Sequence, residues 1–207
     1  MSQMAMEVLR GVLTSDYRGP KAIFGEVHVL KALMVIGNSG SVGRGRLSSL
    51  VGLGQGEIRT LIKRLKEKEL ITIDADGCRL SKTGREEYQL LTRLLPWSSE
   101  VRAAALGMGE KCWAVLVRKA GRKVRLGIEQ RDAAVRAGAN GALTAIFRSG
   151  HFTLPGEGTD CETSGPVGLW STIRASRPEG NDVVVIAGSQ DTSTAEWGAL
   201  AAALTLV

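Results

Sequence analysis

The chain has 207 residues, 43% of them hydrophobic and 23% charged, enough for two small domains with apolar cores and unlike a disordered polymer. No window holds about 18 uninterrupted apolar residues. The opening "MSQMAMEVLRGVL" carries Glu7 and Arg10 within its apolar stretch, so neither a membrane span nor a signal peptide is indicated and a cytoplasmic location is expected. The net charge of +6 is unevenly placed: residues 1–96 hold 15 Lys/Arg against 10 Asp/Glu and residues 97–207 hold 12 against 11. A basic N-terminal half is compatible with nucleic-acid binding, although a well-solvated basic surface has the same composition.

In chain order, the first core helix is expected after Pro20, where "KAIFGEVHVLKALMVIG" places Ile23, Val27, Leu30, Leu33 and Met34 at helical spacing, with Gly37 to Gly40 as the break. "GRGRLSSLVGLG" gives a short second helix with Leu47, Leu50 and Val51 on one side and Gly52 and Gly54 as its stop. The third, over residues 55–70, carries the apolar stripe Ile58, Leu61, Ile62 and Leu65, which must face the first two. "LITIDADGCRLSKTG" alternates around Asp76-Gly77 and predicts a hairpin, and "KTGREEYQLLTRLL" returns to helical spacing before Pro96. Helix, helix, turn, helix, hairpin is the winged-helix order.

Opposite its apolar stripe, the third helix presents Gly56, Arg59, Thr60, Lys63 and Glu67. A recognition helix offers its N-terminal residues to the major groove, which draws in Gln55 and Gly56. An arginine fork suits guanine, a threonine a base edge or phosphate, and a lysine a phosphate. The candidate DNA contacts are Gln55, Gly56, Arg59, Thr60 and Lys63, with Arg79 and Lys82 beside the hairpin tip. The competing reading is a solvated helix face in which Lys63, Arg64, Lys66 and Lys68 pair with Glu67 and Glu69.

The C-terminal half alternates short apolar runs, "KCWAVLVRK", "GALTAIF" and "DVVVIAG", with the helical segments "IEQRDAAVRAGA" and "AEWGALAAALTLV", an α/β pattern. "LPGEGTDCETSGPVG" reads as a long loop, Ser193 and Glu196 as a capping box, and "RKAGRKVR" as a charged hairpin tip, an anion-binding turn or a secondary DNA contact. On the helix from Ile128, apolar residues on two faces predict cover on two sides. Arg131 and Asp132 on the flanks, with Glu129, become candidates for a ligand or interface contact, or a structural ion pair. Trp113, Trp170 and Trp197 are core anchors or pocket walls.

Cys78, Cys112 and Cys161 have no metal-like spacing and His28 and His151 stand apart, so neither a disulfide framework, a metal site nor a cofactor is expected. Phosphate-binding glycine fingerprints are missing, as is any nucleophile–base pair, so no catalytic residue is assigned.

Residues Val27 to Leu95 resemble winged helix-turn-helix domains of prokaryotic transcriptional regulators, with "LSSLVGLGQGEIRTLIKRLKEKELI" matching the helix-turn-helix and "CRLSKTGREE" the end of the wing. "GIEQRDAAVRAGANGAL", "HFTLP" and the terminal "DVVVIAG" and "GALAAALTLV" are similar to archaeal two-domain proteins that join a winged helix to a C-terminal domain of unknown function. That resemblance implies a regulator and assigns no role to the C-terminal residues.

The expectation is therefore an α+β chain: a winged helix-turn-helix DNA-binding domain over residues 1–96, then a small α/β domain over 97–207 for dimerisation or ligand sensing. The expected partners are double-stranded DNA, a second copy of the chain and a small-molecule effector, without a membrane. The alternatives are an enzyme acting on a small anionic substrate with chemistry around Glu129, Arg131 and Asp132, or a winged helix used for protein–protein contact.

Overall fold

The computed structural model describes residues 2–14, 23–156, 158–166 and 168–207, and the chain is mixed α+β. Its contacts divide it into two compact units, Met1–Thr92 and Arg93–Val207.

The first unit contains α1 (Ser2–Leu13), α2 (Glu26–Ser39), α3 (Arg44–Val51), α4 (Gln55–Glu67), the hairpin strands β1 (Ile71–Asp74) and β2 (Gly77–Leu80), and most of α5 (Lys82–Leu94). Leu9, Leu30, Leu33, Ile36, Leu47, Ile58, Leu61 and Leu65 are fully buried, so the stripes of successive helices close on one core. Two boundaries differ from expectation. Helix α2 starts at Glu26, which leaves Ile23 83% exposed ahead of it, while Pro20 lies outside the described residues. The helix also runs through Gly37 to end at Gly40 (φ +70°), because Gly37 makes room for the Tyr88 ring: a Cβ there would lie 2.4 Å from it. The hairpin turn occupies Ala75 and Asp76, one residue earlier than expected, since Asp74 pairs with Gly77. Val42 forms an isolated β-bridge to Cys78, with Val42 N–H to Cys78 O at 3.0 Å and the return bond at 2.9 Å, beside the two-stranded wing.

Helix α4 is fixed at both ends of its charged side. Its first turn is closed by Glu57, whose Oε2 accepts the Gly54 N–H at 3.0 Å. Near its C-terminal end Arg64 is buried, against the expectation of a solvated residue, because its guanidinium donates to the Leu13 carbonyl at 2.8 Å, reaches the Val12 carbonyl and lies over the Phe24 ring. It ties α4 to the C-terminal end of α1. Arg64→Leu leaves those carbonyls without their donor, and chemical denaturation should show a loss of about 2–3 kcal/mol.

His28 stands at the start of α2, its Nδ1 accepting the Gly25 N–H at 3.1 Å. Burial is the main cause of a pKa below the ordinary 6.5, so the neutral ring is favoured in the folded chain. Stability linked to this ring is complete above 6.5 and is lost as the pH falls through the lowered folded value. The thermal midpoint should fall between about pH 7 and about pH 5, and less steeply in His28→Gln.

The second unit is a five-stranded antiparallel sheet built from β3 (Trp97–Val101), β4 (Lys111–Val117), helix α6 (Ile128–Arg136), β5 (Gly141–Arg148), β6 (His151–Thr153), α7 (Cys161–Ser164), α8 (Leu169–Arg174), β7 (Val183–Ser189) and α9 (Thr192–Leu204), in strand order β3-β4-β7-β5-β6. Alternation along β7 sends Val184 and Ile186 into a cluster with Phe152, Leu169, Trp170 and Ile173, while α6 and α9 pack on the other face. Gly198 brings α9 close to the end of α6 and the residues after it: a Cβ there would lie 2.6 Å from that of Ala139 and 3.5 Å from the Ala134 carbonyl oxygen.

Several local expectations are corrected here. The glycine-rich segment 154–168, expected to be a long loop, holds the short α7, capped by Asp160, whose carboxylate accepts the Glu162 N–H at 2.8 Å. Asp191, not Ser193, caps α9, accepting from Thr194 N–H at 2.9 Å. Residues 118–125 are not a hairpin tip: Arg118 and the Lys119 amide bind the fully buried Asp182, and Lys123 Nζ donates to the Leu206 and Val207 carbonyls at 2.8 Å each. Their charge holds the sheet's loops to one another.

Candidate nucleic-acid interface

The side of α4 facing away from the core meets the wing and the start of α3 in a shallow groove. Arg44, Arg59, Lys63 and Lys66 line it together with Ile62, Ile73, Gly77 and Cys78. Arg59, Lys63 and Lys66 are exposed and lie at helical spacing, and Arg44 joins them from the first position of α3. Lys63 pairs with Glu67 at 3.8 Å across an exposed surface, a weak interaction in water. Four cations therefore surround one groove, a clustering of like charge that suits an anionic ligand.

Gly77 has φ +124°, and a Cβ there would lie 2.5 Å from the Val42 carbonyl oxygen, so the hairpin can close on Val42 only with glycine at this point. This packing holds the wing against the segment between α2 and α3.

The sequence candidates fall into distinct roles. Arg59 and Lys63 are in the groove. Thr60 is partly exposed beside them and its hydroxyl donates to the Gly56 carbonyl at 3.1 Å. Gly56 is exposed, with open space where a Cβ would project. The Gln55 amide donates to Ser48 Oγ at 3.1 Å, and that hydroxyl donates to the Leu53 carbonyl at 2.6 Å, so this side chain ties the turn between α3 and α4. Arg79 bonds Asp74 and Asp76 at 2.7 Å each, and these carboxylates, Asp74 foremost, push its pKa up. Its charge is therefore matched twice over at the wing tip. Lys82 is exposed at the first position of α5.

Arg44 and Lys66 were not among the sequence candidates. Lys66 reads as flank on a helical wheel, and only the position of the wing makes that flank one wall of a groove. Arg44 belongs to another helix, so no spacing rule within α4 reaches it.

In the second unit, Arg131 and Asp132 pair with each other at 2.9 Å and Arg125 approaches Glu129 at 3.8 Å, all with side chains roughly half exposed or more. Helix α6 is covered on the side of Gln130, Ala133 and Ala134 only, and Ile128 and Val135, expected to be buried, are 47% and 48% exposed. Trp170 is buried and stacks on Phe152 at 5.3 Å, while Trp113 Nε1 donates to Ser98 at 2.6 Å. Among the described residues no group of three or more His, Cys, Asp or Glu side chains could hold a metal ion, and no helix is long and apolar enough to cross a membrane. Burial pushes the Cys161 thiol up to about 11, with Asp160 and Glu162 acting in the same direction, and it is a poor nucleophile in this setting.

The chain is thus a mixed α+β protein whose first unit has a winged-helix-like arrangement. Residues 108–206, within the second unit, match DUF4443, a domain of unknown function. A hypothetical protein from Pyrococcus horikoshii OT3 is similar in structure with a TM-score of 0.65 and 22% identity, over 86% of this chain and 91% of that one, which shows a shared fold. A MarR/EmrR family transcriptional regulator from Acinetobacter sp. ADP1 aligns over 44% of this chain and 63% of its own with 17% identity and a TM-score of 0.30, too low to argue from. No curated protein matches the chain.

Proposed function

We propose that the protein is a DNA-binding transcriptional regulator in which the first unit grips duplex DNA and the second joins two copies or receives a small-molecule effector. The observation that carries this reading is the convergence of Arg44, Arg59, Lys63 and Lys66 on one groove beside the wing. Arg59 and Thr60 are placed to meet base edges, and Arg44, Lys63 and Lys66 to meet phosphates. Gln55 acts by holding the α3–α4 turn, and the wing, with Arg79 engaged by its two aspartates, contributes shape rather than charge. Lys82 is assigned a phosphate contact at the base of the wing. In a homodimer, two α4 helices would read successive major grooves about 34 Å apart.

The test is a fluorescence-anisotropy titration of the full chain with duplex DNA at several salt concentrations. Four phosphate-neutralising cations predict a slope of about −3.5 in log K against log salt. A slope near zero, or no binding at low salt, would remove the DNA reading and leave the groove, with its Ile62 and Ile73 walls, to a protein partner.

A further inference from the structure

The second unit contains a cleft of about 370 Å³ between the start of α6, the middle of β5 and the segment after β6. Strand β6 pairs with β5 only over residues 146–148, so Ala142 to Thr144 lie along an edge that β6 leaves open, and all three residues line the cleft. Leu126, Leu143, Leu154 and Pro155 give it apolar walls. A volume of this size is within the range of small-ligand sites, and apolar walls with a few converging polar groups are their usual make-up.

Three polar features converge there. Thr144 lines the cleft and is only 5% exposed, and its buried hydroxyl has no hydrogen-bond partner among the described residues. A buried hydroxyl without a partner is unfavourable, and a ligand that bonds to it would recover that loss. Gly127, with φ +79°, caps the start of α6 directly over Thr144: a Cβ at Gly127 would lie 3.2 Å from that of Thr144. No side chain caps this helix start, so the amide of Ile128, at the cleft wall, is available to an anion at the positive end of α6. Arg131 stands at the rim with Asp132 as its neighbour, and Glu129 is met by Arg125.

We infer that this cleft binds a small monocarboxylate with a short apolar tail, the carboxylate meeting Thr144 Oγ1, the Ile128 amide and Arg131, and the tail lying against Leu126, Leu143 and Leu154. The site deepens the effector part of the regulator reading and rests on it for its biological consequence, while its occupancy is measurable without DNA.

Isothermal titration of the full chain with hexanoate, and with hexan-1-ol as the uncharged match, tests the assignment. Hexanoate should bind about tenfold or more tightly than the alcohol. Thr144→Val should weaken hexanoate by about tenfold and Thr144→Ser should restore it, as expected for one hydrogen bond to a charged group. Arg131→Gln, a surface change that spares the core, should weaken it by a similar factor and supplies the answer if the Val variant does not fold. Equal binding of acid and alcohol, binding indifferent to both substitutions, or no heat with hexanoate would overturn the site. If hexanoate binds while duplex DNA does not, the cleft stands and the DNA reading falls; the converse result removes the cleft alone.

Discussion

Replacing Arg59 and Lys63 together by alanine is expected to weaken duplex binding about 30-fold to 1000-fold at low salt, on the basis of about 1–2 kcal/mol for each contact. The salt slope should become shallower by about one, because Lys63 is the phosphate-directed charge of the pair. Folding should be almost untouched, since both side chains are exposed and the Lys63–Glu67 pair is a surface one. The wing supplies the contrast. Arg79→Ala removes a cation already bonded to Asp74 and Asp76, and should change affinity by no more than about threefold. If Arg79 proved as important as Arg59, the wing aspartates would have to release it on binding, and the placement of charge described above would need revision.

The second large effect concerns stability. Glycine in a helix is ordinarily about 1 kcal/mol worse than alanine. At Gly84, in the first turn of α5, the order is reversed: a Cβ would lie 1.8 Å from the Leu70 carbonyl oxygen, the same oxygen that accepts the Ser81 N–H at 3.0 Å. The obstruction is backbone and cannot rotate aside, so α5 or the segment joining α4 to β1 must shift. Gly84→Ala should cost about 3 kcal/mol or more, lowering the first unit's melting temperature by roughly 12–24 °C. Gly56→Ala is the matched control, with nothing within 4 Å of its Cβ, and should raise stability by about 0.5–1 kcal/mol. Thermal unfolding followed by circular dichroism distinguishes the two directions.

The N-terminal helices were legible because their apolar residues repeat at the helical period and glycines mark their ends. Ile58, Leu61, Ile62 and Leu65 are buried as that period requires. The missed details are tertiary in origin. Gly37 looks like a break until Tyr88, 51 positions later, fills the space it leaves. Arg64 resembles its charged neighbours, and only the carbonyls of α1 distinguish it. In the second unit the long apolar strands were visible. Strand β3 was not, since Trp97–Val101 alternates half-buried and exposed polar residues at the sheet edge, and β6 has only three residues. Helix α6 misled for a related reason. Its Ile128 and Val135 suggested a second covered face, whereas burial follows the small residues Ala133 and Ala134 against α9 and the sheet. Half of the groove was visible as Arg59 and Lys63. Arg44 and Lys66 required the wing's position, and Arg79 required the conformation of its two aspartate partners.

Hydrogen–deuterium exchange of the full chain with and without duplex DNA tests the central claim most directly. Bound DNA should slow exchange at the N-terminal turn of α4, residues 55–60, and at the start of α3 around Arg44, with little change along β4 and β7. Protection confined to the second unit, or unchanged exchange at α3 and α4 in a chain that demonstrably holds DNA, would contradict it.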